Sequence, residues 1–286
     1  MAVADTCCDS MFEMKTAKEF ELELVLQTLE KMYGFDLHSY THSSVLRRLE
    51  NYISMKGLEH ISSLIPELIH QKIPVQHLID YITIQHSELF RDVDFFKALR
   101  DEVLPYISSY PEVKIWVAGC ANGEEVYSLC ILLDEAGLLK KSVIYATDLS
   151  VSALNKAKTG ILDANINSSD IRRYNESGGT KSLSEYFIKA YGHYKIKDTL
   201  LQNVVFEQHN LVQDGPFISA QLVLCRNVMI YFDKGLKQRV VHLLKSSLAP
   251  HGYLGLGNEE SLRYLDEENA FKQLGANVSL YKKNII

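Results

Sequence analysis

From about residue 112 onward, short apolar runs alternate with amphipathic stretches, and this alternation constrains the fold more than any other feature. Predicted strands lie at residues 113–118, 143–147, 204–206, 222–225, 253–257 and 278–281, and predicted helices at 124–136, 150–158 and 236–248. Strands that alternate with helices form a largely parallel, doubly wound α/β sheet with ligand sites at the carboxyl ends of the strands. We therefore predict a Rossmann-like domain over residues 81–286, with its chemistry at that edge.

The first 80 residues show a different pattern, which predicts a small all-helical domain over residues 1–80. Apolar side chains recur near helical spacing at Phe20, Leu24, Leu29 and Met32, and again at Val45, Leu49 and Ile53. A polar segment at about residues 165–201 interrupts the later alternation, and residues 193–197 alternate well enough to form a strand. We therefore predict a small β subdomain at about residues 180–203, inserted in the α/β domain.

The composition excludes several classes of protein. The chain is 47% hydrophobic and 23% charged, which is typical of a globular protein, and no apolar run approaches the roughly 20 residues of a membrane helix. Residues 1–80 hold seven Lys and Arg against twelve Asp and Glu, and no basic stripe suited to nucleic acid occurs. The N-terminus lacks a secretory signal, so we expect a cytoplasmic protein that neither binds nucleic acid nor inserts into a membrane.

The cysteines and histidines give no sign of a metal site. Cys7, Cys8, Cys120, Cys130 and Cys225 show no CxxC pair, and the ten histidines lack HExxH spacing. We expect five reduced thiols and no bound metal.

The segment KIWVAGCANGEEVYSLCILLDE is an apolar strand that enters a turn with Gly119 and Gly123 and then a helix. Glycines at such a turn let the backbone approach a ligand, and an acid that ends the next strand, Asp148 in YATDLS, can hold ribose hydroxyls. The turn lacks the full GxGxxG of dinucleotide sites, which disfavours a nucleotide-dependent dehydrogenase. Alone, this unit fits any nucleotide-containing cofactor, or a tight turn without a ligand.

Two further segments, LVLCRNVMIYFDK and YITIQHSELFRDVDFF, bring polar side chains toward the same region. They supply Arg226, Asn227 and Tyr231, and Gln85, Ser87 and Arg91, respectively. Polar groups just beyond an apolar strand lie where a cofactor and a substrate would meet. Alternatively, Arg91 is a solvated surface charge without a ligand, and Tyr231 is an aromatic residue of the core.

Together these segments resemble the CheR family of chemotaxis receptor protein-glutamate O-methyltransferases, from about residue 20 to residue 283. GCANGEEVYSL is similar to the family's G(C/A)xxGEExYS, ATDLSVSALNKAKTGIL to its (A/S)TDIdxxxLxxAxxGxY, and CRNVMIYFDK matches its signature residue for residue. The resemblance implies a helical N-terminal domain joined to an α/β domain that binds S-adenosylmethionine (SAM), with a β subdomain inserted in the latter.

The resemblance also implies the cofactor contacts. They fall on Gln85, Ser87, Arg91, Gly119, Glu124, Asp148, Asn210, Leu211, Arg226 and Asn227. Arg91 suits the carboxylate of SAM, Glu124 its amine and Asp148 its ribose hydroxyls. The product is S-adenosylhomocysteine (SAH).

The implied reaction places the methyl group on glutamate side chains of chemoreceptor cytoplasmic domains. An unperturbed glutamate has a pKa of about 4.3 and is ionised at neutral pH, so no general base is required. The enzyme must instead align the acceptor oxygen with the methyl group and exclude water. We expect Arg91 and Tyr231 to orient the acceptor carboxylate.

The sequence departs from the family in three places. The family's NxTxFFR reads QHSELFR, and the N-terminal domain is acidic where members often carry a basic helix. Only Arg47, Arg48 and Lys56 form a local basic face, for which receptor docking and simple solvation are equal alternatives. The insertion is also shorter than in members that capture a receptor's C-terminal tether by adding a strand, so we predict no dependence on a pentapeptide tether.

Two other functional classes remain open. A SAM-binding sensor or scaffold without activity would explain QHSELFR, and a methyltransferase for another protein or a small molecule would explain the acidic domain. Since no heptad seam or large apolar patch is evident, we expect a monomer.

Overall fold

Four helices form the N-terminal part of the computed structural model, which describes residues 16–83, 85, 87–265 and 269–284. They are α1 (Ala17–Tyr33), α2 (His42–Lys56), α3 (Leu64–Ile69) and α4 (Val75–Ile82), with a 3-10 turn at Ile61–Ser63. Helix α1 begins at a capping box, in which the Thr16 side chain accepts from the Glu19 N–H and the Glu19 carboxylate accepts from the Thr16 N–H. These reciprocal bonds satisfy two backbone donors and fix where the helix starts.

The buried face of α1 differs from the predicted one. Its buried side chains are Leu22, Val25, Leu26 and Leu29. Phe20 and Met32, predicted on the core face, are 57% and 45% exposed, so that prediction was wrong. Residues at i, i+3, i+4 and i+7 share one face of a helix, whereas the spacing of the predicted set drifts around it. The face predicted for α2 is buried as expected.

The rest of the chain is built on a seven-stranded mixed sheet. Its strands are β1 (Val113–Ala118), β2 (Ser142–Asp148), β5 (Val204–Gln208), β6 (Ala220–Cys225), β7 (Leu248–Leu256), β8 (Phe271–Gln273) and β9 (Leu280–Lys283). A separate antiparallel hairpin consists of β3 (Phe187–Ala190) and β4 (His193–Ile196). The strand order across the seven-stranded sheet is β5-β2-β1-β6-β7-β9-β8. The first five are parallel, and β9 runs antiparallel to β7 and β8. The predicted doubly wound, largely parallel sheet is thus confirmed.

Helices cover both faces of this sheet. They are α5 (Val93–Ala98), α6 (Leu104–Ile107), α7 (Glu124–Glu135), α8 (Val151–Thr159), α9 (Ser168–Glu176), α10 (Asp198–Leu201) and α11 (Lys234–Ser246), and a π-helical turn at Leu99–Val103 joins α5 to α6. Side chains of β1 alternate between two cores: Ile115 and Val117 pack with α7, and Trp116 packs with α11 and the N-terminal helices. The N-terminal helices therefore share a core with the sheet.

Short elements account for most differences from the predicted boundaries. Strand β4 was predicted, but its partner β3 was not, because only Phe187 of that strand is buried and no alternation marks it. Strand β8 has three residues and was also missed. Strand β7 begins at Leu248, which had been assigned to the preceding helix.

Cys120, Cys130 and Cys225 are buried free thiols, while Cys7 and Cys8 lie outside the described residues. Within the described ranges, no helix is both long and apolar enough to cross a membrane, and no cluster of three or more potential ligands could hold a metal ion.

Candidate active site

A cavity of about 320 Å³ opens at the carboxyl ends of the parallel strands. Among the residues predicted from the sequence, its lining includes Gln85, Ser87, Arg91, Gly119, Asp148, Asn210, Leu211, Arg226, Asn227 and Tyr231. Glu124 is not part of the lining, although the adjacent Glu125 is. Segments far apart in the sequence thus meet at the predicted edge of the sheet.

The loop after β1 and the acid that ends β2 form one wall. Asp148 is buried, and its two carboxylate oxygens accept hydrogen bonds from the backbone N–H groups of Ala121 and Ser150, each at 2.9 Å. Burial raises the pKa of Asp148, and these two hydrogen bonds act in the opposite direction. Each carboxylate oxygen keeps a lone pair that can accept from a ligand hydroxyl.

Gly119 is required at the start of this loop. Its φ of +78° is a conformation that other residues rarely adopt, and a Cβ there would lie 2.4 Å from a methyl carbon of Val228. The Gly119 and Cys120 N–H groups both donate to the Thr147 carbonyl, at 2.7 and 2.9 Å. The loop is therefore held against β2 while its backbone stays open to the cavity.

Arg226, which follows β6, has a fully buried guanidinium whose charge is already compensated. It forms ion pairs with Asp92 at 2.7 Å and Glu125 at 2.5 Å, and it lies 4.1 Å from the ring centroid of Phe95. It also donates to the Arg91 carbonyl at 3.0 Å. These contacts hold the segment around Arg91 against the first turn of α7, so this side chain organises the wall, and its direct contact with a cofactor stays a prediction.

Arg91 differs from Arg226 in having no compensating anion among the described residues. Its half-buried side chain lines the cavity, and its guanidinium makes no ion pair or hydrogen bond with any residue that the structure describes. Because a cation in a partly desolvated site favours an anionic partner, Arg91 is suited to bind a carboxylate supplied from outside the chain.

Glu260 shapes the turn after β6 and was missed in the sequence. Its buried carboxylate accepts from the N–H groups of Asn227 and Gly257, each at 2.7 Å. Asn227 has a left-handed φ of 60°, which this carboxylate stabilises. Burial raises the pKa of Glu260. Nothing in the local pattern NEESL separates Glu260 from its exposed neighbour Glu259, so spacing alone would not have found it.

Glu124 and Glu125 open α7 and differ sharply. Glu125 lines the cavity and pairs with Arg226, whereas Glu124 is buried outside the lining, with its Oε2 unpaired among the described residues. Burial raises the pKa of Glu124 to about 7. Adjacent residues on a helix point about 100° apart, and the sequence did not indicate which glutamate faces the ligand. The amine-binding role assigned to Glu124 stays a prediction.

On the β5 side, Asn210 organises its own loop. Its side-chain oxygen accepts from the Val212 N–H at 2.9 Å, and its N–H donates to Asp214 at 2.7 Å. The side chains of Asn210 and Leu211 both contribute to the cavity wall.

The N-terminal helical unit also reaches the cavity. Tyr40, Ile82 and Thr83 line it, and the Arg48 guanidinium lies 4.7 Å from the ring centroid of Tyr231. Arg48 is buried and donates to the Ile82 carbonyl, so the prediction that it forms an exposed basic face was wrong. Adjacent residues on a helix point about 100° apart, so Arg47 is exposed whereas Arg48 faces the inward side of α2.

Comparison with known proteins places this site in a family. The family model described as CheR methyltransferase, SAM binding domain, matches residues 85–280, and the CheR methyltransferase all-alpha domain matches residues 21–83. Cher3 of Pseudomonas putida is 36% identical over 93% of this chain and 97% of that protein. Chemotaxis protein methyltransferase 1 of Pseudomonas aeruginosa is 31% identical over 88% and 94%, and the chemotaxis protein methyltransferase of Borreliella burgdorferi is 30% identical over 85% and 88%. The chain therefore belongs to the CheR methyltransferase family, with SAM as its cofactor.

Proposed function

We propose that this chain transfers the methyl group of SAM to glutamate side chains on the cytoplasmic domains of chemoreceptors. The single observation that carries the proposal is one cavity that combines Arg91, a cation that no described residue compensates, with the strand-end acid Asp148 and the half-buried phenol of Tyr231. The names of the Pseudomonas aeruginosa and Borreliella burgdorferi relatives, both chemotaxis protein methyltransferases, support the same pathway.

The polar groups of the cavity fit the cofactor. Asp148 offers acceptors for ribose hydroxyls, and Arg91 offers a cation for the carboxylate. The glycine turn at Gly119 brings the loop backbone to the cavity wall. When bound, SAM supplies a methyl group activated by a sulfonium. The remaining contacts that we propose are those of Gln85, Ser87, Glu124, Asn210, Leu211, Arg226 and Asn227.

The acceptor needs orientation rather than deprotonation. A glutamate carboxylate is already ionised at neutral pH, so the protein must position one oxygen and remove water from it. We assign this task to Tyr231 and Arg91. Tyr231 ends the 3-10 turn Met229–Tyr231, and its carbonyl accepts from the Thr41 N–H at 2.7 Å. The backbone of this residue is therefore held in place before any acceptor arrives.

Arg91 has two candidate anions, the cofactor carboxylate and the acceptor glutamate. An Arg91→Met variant separates them, because 5′-methylthioadenosine retains the nucleoside but lacks the carboxylate. If Arg91 pairs with the cofactor, the variant loses affinity for SAH and keeps its affinity for methylthioadenosine. If Arg91 pairs with the acceptor, both affinities are unchanged and the KM for the receptor rises.

The proposed partner contacts are the exposed basic residues Arg47 and Lys56 on α2. Neutralising Arg47 should raise the KM for the receptor at low salt and have less effect at high salt, because exposed charges are screened. An unchanged KM at low salt would remove α2 from the docking surface.

The inserted hairpin of β3 and β4 is the element to which a receptor's C-terminal tether peptide would add a strand. It has four residues in each strand, and one edge of β4 is occupied in part by Ile161, which bridges to Lys195. We propose that methylation does not require a receptor pentapeptide. Calorimetric binding of such a peptide, or loss of methylation when the last five receptor residues are removed, would contradict this.

The decisive experiment is methyl transfer from radiolabelled SAM to a panel of receptor cytoplasmic fragments. We expect label that is released by mild base, as from a carboxyl ester, and that is lost when the acceptor glutamates are changed to glutamine. A Tyr231→Phe variant should keep its affinity for SAH and turn over about tenfold more slowly, as expected for the loss of one hydrogen bond that orients the acceptor. Base-stable label, or no label on any fragment despite SAH binding, would refute the acceptor class.

A further inference from the structure

Tyr40 belongs to the N-terminal helical unit, yet it forms part of the cofactor cavity. It lies in the loop between α1 and α2, is 9% exposed, and lines the cavity together with Asp148. Neither the sequence motifs nor the strand edge indicates it, because it reaches the cavity from outside the sheet.

The loop that carries Tyr40 is attached to the α/β domain at several points. Ser39 and Thr41 exchange backbone hydrogen bonds with Asp233 and Tyr231, at 2.9 and 2.7 Å, which makes Tyr40 and Phe232 an antiparallel bridge. The rings of these two residues meet edge to face, with centroids 5.0 Å apart. Tyr40 is therefore held in a fixed position relative to the cavity.

The loop also contacts the segment that follows β5. The side chain of Gln213 donates to the Gly34 carbonyl at 2.7 Å. Through Gln213 and Tyr40, the loop spans the side of the cavity where β5 lies next to β2. In doubly wound folds the acid that ends β2 holds the ribose of the ligand, and Tyr40 lines the cavity together with this acid. The loop thus covers the nucleoside end of the site.

The hydroxyl of Tyr40 is available to a ligand. It makes no hydrogen bond with any residue in the described part of the chain, although its ring is buried. Burial and the nearby carboxylates of Asp148 and Asp36 raise the pKa of Tyr40, so the hydroxyl keeps its proton at physiological pH. The hydroxyl is therefore an unused donor at the cavity wall, where an acceptor atom of a ligand could receive its hydrogen bond.

A second contact links the helical unit to the same end of the cavity. Asp80 of α4 accepts from the Ser150 hydroxyl at 2.5 Å and from Gln76 at 2.8 Å. The Ser150 N–H in turn donates to Asp148 at 2.9 Å. Helix α4 therefore braces the loop that orients the strand-end acid.

We propose that Tyr40 hydrogen-bonds the nucleoside part of SAM, so that the N-terminal helical unit completes the cofactor site as well as contacting the acceptor. This inference assumes only that SAM is the cofactor, and it does not depend on which protein receives the methyl group.

The test compares Tyr40→Phe with Tyr33→Phe by calorimetry. Tyr33 is a matched control, because its hydroxyl donates to the Leu68 carbonyl at 2.7 Å, within the helical unit and outside the cavity lining. The Kd of Tyr40→Phe for SAH should rise about fivefold, as expected for one hydrogen bond, with little change in the Tm of the free protein. Tyr33→Phe should lower the Tm and leave the Kd unchanged.

5′-Methylthioadenosine identifies the part of the ligand involved. If Tyr40 contacts the nucleoside, the loss seen with SAH recurs with methylthioadenosine. An unchanged Kd for both ligands would overturn the proposal, and so would a loss confined to SAH. Failure of the acceptor assignment would leave these affinities as they are, so the two proposals fail separately.

Discussion

Replacing Glu124 by glutamine should stabilise the protein at neutral pH. Glu124 is 9% exposed, its Oε2 has no partner among the described residues, and burial raises its pKa from the ordinary value of 4.5 to about 7. A buried carboxylate that is incompletely paired is costly when ionised, and glutamine retains its shape without the charge.

The size and sign of the effect follow from linkage between protonation and folding. Between pH 4.5 and about 7 the native state binds more protons at Glu124 than the unfolded state does, so the free energy of unfolding falls as pH rises through this window. At about 1.4 kcal/mol per pKa unit, the accumulated loss above pH 7 is about 3 kcal/mol. The glutamine variant lacks this loss.

The assay is urea denaturation of both proteins from pH 4.5 to pH 8. The difference in free energy of unfolding should be smallest near pH 4.5 and should grow to about 3 kcal/mol at pH 8 in favour of Glu124→Gln. Parallel curves for the two proteins would refute the reasoning.

Glu125→Gln is the matched control, with the opposite sign. Glu125 holds the buried Arg226 guanidinium at 2.5 Å, so its neutralisation should destabilise the protein by about 1–3 kcal/mol. The same pair of variants tests the cofactor role of Glu124. Although that side chain lies outside the cavity lining, the proposed contact requires Glu124→Gln to bind SAH more weakly, and an unchanged Kd would remove Glu124 from the site.

Three further predictions follow from contacts around the cavity. Gly119→Ala should weaken SAH binding and lower the Tm, because its Cβ would meet a valine methyl carbon at 2.4 Å; an unchanged Kd would show that the loop can shift. Glu260→Ala should cost about 2–5 kcal/mol in urea denaturation, because two buried N–H groups lose their acceptor, whereas a cost below about 1 kcal/mol would mean that water replaces it. Arg48→Met should lower turnover more than Arg47→Met, since the Arg48 guanidinium packs against a ring of the cavity; equal effects in the methylation assay would argue against this.

The parts of the fold that could be predicted are those with long, strong periodicity. Strand β1 was predicted with its observed bounds, because six consecutive residues alternate between two buried faces of the sheet. Strands β3 and β8 were missed, since strands of three or four residues with little burial leave almost no pattern. The face of α1 was placed wrongly because apolar Phe20 and Met32 are exposed, and a residue's polarity alone does not determine its burial.

The site could be predicted where its residues follow strands, and less well elsewhere. Asp148 and Asn227 lie at the cavity because the carboxyl ends of parallel strands share one edge. Tyr40 reaches the cavity from the helical unit, and Glu260 supports the turn after β6 from a loop after β7. The positions of both depend on tertiary contacts that no local spacing encodes. The charge on Arg226 gave no indication that Asp92 would neutralise it.

The two family matches meet near residue 84, but the physical boundary between the two units runs through the active site. Arg47, exposed on α2, is adjacent in sequence to Arg48, whose guanidinium packs on Tyr231 and donates to the carbonyl of the cavity residue Ile82. A receptor bound at Arg47 would therefore lie one residue from Arg48, which contacts the ring of Tyr231, the side chain proposed to orient the acceptor. Because the Thr41 N–H donates to the Tyr231 carbonyl, a displacement of α2 would move the backbone of Tyr231 as well as its side-chain environment. If the receptor docks on α2 and Tyr231 orients the acceptor, as we propose, these direct contacts would couple receptor binding to alignment of the acceptor carboxylate.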